Sequence, residues 1–240
     1  RPPRSTLFPY TTLFRSGSKM NIFDILGPVM VGPSSSHTAG AARIGLMTRK
    51  LLGAEPVEAD IRMYGSFAAT GKGHGTDKAI IAGLLGMEPD DMRIPDSFSI
   101  AEKEGLQFTF GTADLKGAHP NSVVLYVKGK NGRERKVQAC SLGGGRIMIN
   151  ELDGIELNCT CEMPTIVVNH VDLPGRVAEV TTMLSMLSIN IATMSVYRDR
   201  RGGRAVMVVE LDQEIDESVL NILQNLKGIV KVTYISTGGK

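Results

Sequence analysis

The pattern of apolar and polar positions divides the chain near residue 160 into two blocks of unequal regularity. In the second, TIVVNH (165–170) is a short β-branched run that reads as a strand. DLPG follows as turn chemistry and brings Gly175 to a helix start. Val177, Val180, Leu184 and Leu187 then recur at helical spacing. IATMSVYR (191–198) and AVMVVELD (205–212) read as strands joined by DRRGGR, a hairpin signal with two glycines. Val219, Ile222, Leu223 and Leu226 mark a second amphipathic helix, and GIVKVTYIS (228–236) is a final strand. The order βαββαβ within roughly 70 residues predicts a ferredoxin-like sandwich.

The first block predicts an α+β domain with less regular spacing. A helix is expected from about Ser36 to Leu52, with Ala41, Ile44, Met47, Leu51 and Leu52 as its apolar stripe. VEADIRMYG (57–65) reads as a strand and TDKAIIAGLLG (76–86) as a helix capped by Thr76. LQFTFG, NSVVLYVKG, RERKVQACS and, past a glycine cluster, RIMINEL supply further strands. The boundary is placed near NCTCEMP (158–164), giving domains over 20–160 and 161–240. There is no internal repeat and no low-complexity tract.

Composition changes this picture in one respect. At 240 residues and 42% hydrophobic, the chain is long enough for two packed domains. Residues 1–19, RPPRSTLFPYTTLFRSGSK, have no acidic residue and no Met, and read as a non-native or disordered leader. Setting aside its four charges (Arg1, Arg4, Arg15 and Lys19) leaves 23 basic residues against 25 acidic ones. The electrostatic case for nucleic acid disappears with them. No apolar run reaches the ~18 residues of a membrane span. With three cysteines and no secretory signal, the expected compartment is a reducing cytoplasm.

Candidate chemistry gathers in two stretches. GPSSSHTAGAARIG (32–45) opens the first helix with three serines, a histidine and a threonine. A helix N-terminus carries unpartnered N–H groups and partial positive charge. Ser34, Ser35, Ser36 and Thr38 add hydroxyls able to hold a carboxylate or phosphate there. His37 at that end would be disfavoured as imidazolium and so available as a proton acceptor. The competing reading is a plain N-cap with two spare serines and a surface histidine. GSFAATGKGHGTD (65–77) lies between a strand and a helix, where an anion-binding loop is expected, and carries His74 among glycines 71, 73 and 75. It is not a P-loop, because Ser66 and Gly73 stand where that motif needs Gly and Ser or Thr. The alternative is a tight turn alone. KGAHPNSV (116–123), with His119 and Asn121 ahead of a strand, reads first as structural.

Cys159-x-Cys161 with a distant Cys140 gives three thiols, one short of a cluster set and in no ferredoxin spacing. Zinc would lack a fourth ligand. Buried thiols are the expectation, and no metal site in this chain.

Taken in order, DILGPVMVGPSSSHTAG (24–40), GSFAATGKGHGTD (65–77) and AHPNSV (118–123) resemble the β chain of the two-chain bacterial iron–sulfur L-serine dehydratases. The strand, N-H-x-D-x-P-G and helix of residues 165–180 resemble an ACT domain, a module that binds amino acids. One departure is Ala41, where a proline commonly follows the glycine. The resemblance implies β-elimination of L-serine to pyruvate and ammonia, with one iron of a four-iron four-sulfur cluster as the Lewis acid for the leaving hydroxide. It assigns the cluster cysteines to the α chain, which is the expected partner. To this chain it assigns half of the active site: Ser34, Ser35, Ser36 and Thr38 toward the substrate carboxylate, and His37 and His74 for proton transfer or for orienting the hydroxyl. A monovalent cation is a second candidate cofactor. In the ACT block, Asn169, His170, Asp172 and Gly175 are expected to meet a small amino acid, serine first. Self-association through the sheet edge is the other role expected of that block. The rival function is a non-catalytic subunit that senses an amino acid or anion, as the small-anion and ACT domains of phosphoglycerate dehydrogenases do.

Overall fold

The computed structural model describes residues 30–237; the leader expected over 1–19 and the first residues of the DILGPVM stretch lie outside them. Ser34 adopts extended backbone, and its hydroxyl accepts from the His37 N–H. The chain then enters a π-helical turn, Ser35–Ala39, which runs directly into α1 (Gly40–Leu52). The predicted stripe of Ala41, Ile44, Met47, Leu51 and Leu52 is buried along it.

After β1 (Pro56–Met63) come α2 (Gly65–His74), α3 (Thr76–Leu84), a 3₁₀ turn (Ile94–Asp96), α4 (Ser97–Glu104) and β2 (Gln107–Thr112). β1 and β2 pair in parallel. A parallel pair needs a long crossover, and this one carries α2 and α3 over the sheet. β3 (Ser122–Gly129), β4 (Glu134–Gly143), β5 (Arg146–Leu152) and β6 (Ile155–Cys159) complete a six-stranded sheet of order β2-β1-β3-β4-β5-β6. Alternation along β3 turns Val123, Leu125 and Val127 to the core while Tyr126 faces out. α1 and α3 pack against each other through Gly45 and Gly83. A Cβ at Gly45 would overlap the Ile80 carbonyl oxygen, and one at Gly83 the Ala42 carbonyl oxygen. The helices therefore meet backbone to backbone, an approach that any larger residue would prevent.

The second block is the predicted βαββαβ: β7 (Thr165–Val171), α5 (Arg176–Met186), β8 (Ile191–Arg198), β9 (Arg204–Leu211), α6 (Glu217–Gln224) and β10 (Ile229–Ile235), an antiparallel sheet of order β10-β7-β9-β8. Both of its faces are covered. Ile166, Val168, Met207 and Val209 face α5 and α6, with Val180, Leu184 and Leu223. Val167, Val206, Val208 and Ile235 face the other way and join the core of the first domain. That is why TIVVNH shows no polar alternation. Polar ties cross the same junction. Lys231 Nζ donates to the Leu51 and Leu52 carbonyls at 2.8 and 3.0 Å, Lys50 Nζ to Ser236 at 3.1 Å, and Arg43 to the Cys161 carbonyl at 3.0 Å.

Four expectations change. GSFAATGKGH is a helix rather than a loop, with Gly75 (φ 68°) as the break between α2 and α3. Thr76 does not cap α3; it lies within the first turn, fully buried, with its hydroxyl unpartnered among the described residues. Val177, Leu187 and Ile222, expected on buried stripes, are exposed. The strand β6 and the helix α4 were not foreseen.

Candidate active site

Two segments that are separate in sequence converge here. Helix α2 begins against the third motif: the Ser66 N–H donates to the Pro120 carbonyl at 2.8 Å. Gly65 (φ 57°) lies so close to Pro120 that a side chain there would strike its backbone. Phe67 is fully buried beneath α2 and anchors it; burying a phenylalanine is worth ~1.5–3 kcal/mol. KGAHPNSV is thus a structural seat for α2, with His119 Nδ1 accepting from the Asn121 N–H at 3.2 Å.

Residues 66, 70 and 74 are one turn apart on α2, so Ser66, Thr70 and His74 share a face, and that face meets His37. His37 Nε2 lies 3.0 Å from Ser66 Oγ and 3.1 Å from Thr70 Oγ1. The centres of the His37 and His74 rings are 5.1 Å apart, and the Phe67 ring meets His37 edge-on at 5.3 Å. Thr38, buried, donates its hydroxyl hydrogen to the His74 carbonyl at 3.2 Å, which ties the π-helical turn to the end of α2. Burial, and then the nearby His74 charge, hold the His37 imidazole below its ordinary pKa, partly offset by its hydrogen bond at Ser66. His37 is therefore neutral near pH 7.

The serines divide by role. Ser34 caps the turn. Ser35 and Ser36 are half-buried, and Ser36 Oγ faces the glycine-rich β4–β5 hairpin at Gly143. Thr38 is a strut, since its hydrogen is already committed. Ser66 and Thr70 carry no signal as site residues while 65–74 reads as a loop; on a helix, a spacing of four aligns both with His74.

The four ACT candidates do not converge in the same way. Asn169 pairs with Val206 and Lys231, on the face turned toward the first domain. His170 pairs with Ala205 on the opposite face, buried, with Nδ1 3.0 Å from the Val171 carbonyl oxygen and Nε2 unpartnered among the described residues. Neighbours along a strand point to opposite faces, so the two side chains leave the sheet on different sides. Asp172 already accepts from Arg198 at 2.9 Å and from the Gly202 N–H at 3.0 Å. Gly175 (φ 91°) is the exposed residue preceding α5.

Cys159 and Cys161 bring their sulfurs to 3.3 Å and are buried; Cys140 lies on β4 opposite Met148. The thiol–thiol hydrogen bond, with burial, pushes Cys161 well up. Among the described residues, no group of three or more His, Cys, Asp or Glu side chains gathers as a metal site. These residues do not fit an iron–sulfur cluster, which requires four ligands. No helix among the described residues is long and apolar enough to cross a membrane.

Residues 21–104 match the serine dehydratase beta chain family, and residues 165–228 match the ACT domain. A probable L-serine dehydratase β chain of Bacillus subtilis is 46% identical over 216 residues, covering 90% of this chain and 98% of that one. The chain belongs to the L-serine dehydratase β-chain family. The L-serine dehydratase β chain of Peptoniphilus asaccharolyticus is 35% identical, over 89% of this chain and 96% of its own. A D-3-phosphoglycerate dehydrogenase of Bacillus subtilis is 24% identical over 81% of this chain but only 37% of its own length. Both imidazoles of the pair come from the segment that matches the serine dehydratase beta chain family, outside the segment that matches the ACT domain.

Proposed function

We propose that this β chain supplies one wall of an L-serine dehydratase active site, completed by an α chain that holds the iron–sulfur cluster. The product of the elimination is aminoacrylate, which becomes pyruvate and ammonia. The observation that carries the reading is the pair of imidazoles 5.1 Å apart, one on a serine-rich helix start and the other on an exposed helix end. The open hydroxyls of Ser35 and Ser36, beside the positive end of α1, suit a substrate carboxylate. His37 and His74 hold and move the protons at the substrate, His37 as a neutral ring. Because this chain's own thiols do not make a cluster site, the chain alone should be colourless and inactive.

The test is assembly with an α chain. His37→Ala and His74→Ala should each lower kcat by about 10²–10⁴, the usual contribution of a positioned acid or base. Wild-type turnover by either variant would remove that ring from the mechanism. Retained turnover in both would leave the amino-acid sensor as the better reading, favoured by the phosphoglycerate dehydrogenase similarity.

The ACT domain is assigned self-association through β8, the outer strand of its sheet, and Val177 and Met186 of α5 are further exposed apolar side chains on that domain. With Asp172 held by Arg198 and Gly202, an amino-acid ligand would meet the Gly175 turn and the α5 N–H groups, or displace Arg198 from Asp172. Sedimentation with and without L-serine separates these roles: a dimer indifferent to serine leaves association alone.

A further inference from the structure

The hydroxyl of Thr70 is committed on two sides. It donates its hydrogen to the Ser66 carbonyl one turn back, at 2.9 Å, and its oxygen stands 3.1 Å from His37 Nε2. A hydroxyl has a single hydrogen, so toward Nε2 this one offers a lone pair alone. On the other side of the ring, Ser34 Oγ accepts the His37 backbone N–H at 3.1 Å and lies 3.5 Å from Nδ1. Its own hydrogen is thereby free to point at Nδ1.

We propose that Thr70 is a positioning residue that holds His37 as the neutral Nε2–H tautomer, leaving Nδ1, on the Ser34 side, as the ring's proton-accepting atom. Ser66 Oγ, 3.0 Å from Nε2, shares that N–H as a second acceptor and keeps its own hydrogen for a ligand lying between the two imidazoles. The depression of the His37 pKa by burial and by His74 is in keeping with this, because a tautomer can be selected only in a neutral ring. The assignment deepens the lyase reading by fixing which way His37 passes hydrogen. Its bearing on turnover rests on that reading, whereas the tautomer itself belongs to this chain alone.

The full chain, labelled with ¹⁵N-histidine, contains four imidazoles, so long-range ¹H–¹⁵N NMR at mildly alkaline pH resolves each, and His37→Gln assigns the one in question. The expected wild-type spectrum shows a protonated Nε2 and an unprotonated, far-downfield Nδ1. Thr70→Val removes the obligate acceptor and lets the Ser66 hydroxyl rotate to donate, so both nitrogen shifts should move toward an average. Thr70→Ser, which keeps the hydroxyl, should retain the wild-type pattern. A wild-type ring protonated on Nδ1, or an unchanged spectrum in Thr70→Val, would overturn the proposal; the first needs only the His37→Gln assignment and no change at Thr70. In the assembled enzyme, Thr70→Val should lower kcat about tenfold, as for loss of one hydrogen bond, with KM little changed and with rescue by Thr70→Ser. Equal losses in both variants would make Thr70 merely structural. If the tautomers mix as expected while His37→Ala and His74→Ala both turn over normally, the tautomer assignment stands and the lyase reading falls.

Discussion

The two ends of α1 meet the same physical problem with opposite outcomes for charge. At its start, His37 lies on the positive end of the helix, where a cation is unwelcome, and burial beside His74 reinforces the neutral ring. At its finish, Lys231 of β10 places its ammonium on the Leu51 and Leu52 carbonyls, the negative end, where a cation is welcome. Yet Lys231 is pushed down from 10.5 to about 7, first by burial and then by Arg135 and Arg133, with Asp153 opposing. A helix end supplies at most ~2 kcal/mol. A shift of that size, at ~1.4 kcal/mol per unit, exceeds it. Desolvation therefore decides at both ends. At the histidine it yields a neutral group open to a ligand, and at the lysine a buried tie between domains.

The largest effect expected is confined to the first end. His37→Ala should abolish most turnover of the assembled enzyme, by the 10²–10⁴ given above, while leaving the unfolding midpoint near that of wild type. A matching loss of stability would mean that the ring is structural and would collapse the comparison. Next is the shaft between the ends. Gly83→Val forces a side chain into the Ala42 carbonyl and should cost about 3 kcal/mol in chemical denaturation, by separating α1 from α3. An unchanged midpoint would show that the helices can slide.

The lysine end is read through pH. A group whose folded pKa is lowered binds protons more readily when unfolded, so stability rises with pH through that window. For Lys231 the window runs from about 7 to 10.5: the chain should gain stability relative to Lys231→Met across it, and the difference should be flat below it. A parallel pair of profiles would refute a buried, titrating lysine. For His37 the sign is the same at lower pH, its contribution being lost as pH falls from 6.5 to the lowered folded value. The smallest effect is Ser34→Ala, which removes the cap and should cost ~1 kcal/mol, with a change in the His37 signals and none at Lys231.

Much of the fold was legible because alternation and helical spacing report burial directly. The βαββαβ order was readable from TIVVNH to GIVKVTYIS, and α1 from Ala41 to Leu52. Helix α2 was not. GSFAATGKGH buries only Phe67 and Gly71, so it has no apolar stripe to betray it. What positions its start is the Pro120 carbonyl, more than forty residues away, which accepts the Ser66 N–H. For the same reason Ser66 and Thr70 were invisible as site residues. Similarly, exposed Val177 and buried Val180 look alike in a sequence, and only the packing of α5 separates them.

The sequence by itself determined the second domain's element order, the serine-rich opening of α1 and the family motifs, since these depend on local spacing and residue type. Only the tertiary structure decided that His37 meets Ser66, Thr70 and His74, that Asn169 and His170 part to opposite faces, and that Lys231 closes the far end of α1. Each of these depends on a hydrogen bond or strand register between distant residues. Such contacts form because the surrounding core fixes their backbones in place, and a linear pattern carries no record of that.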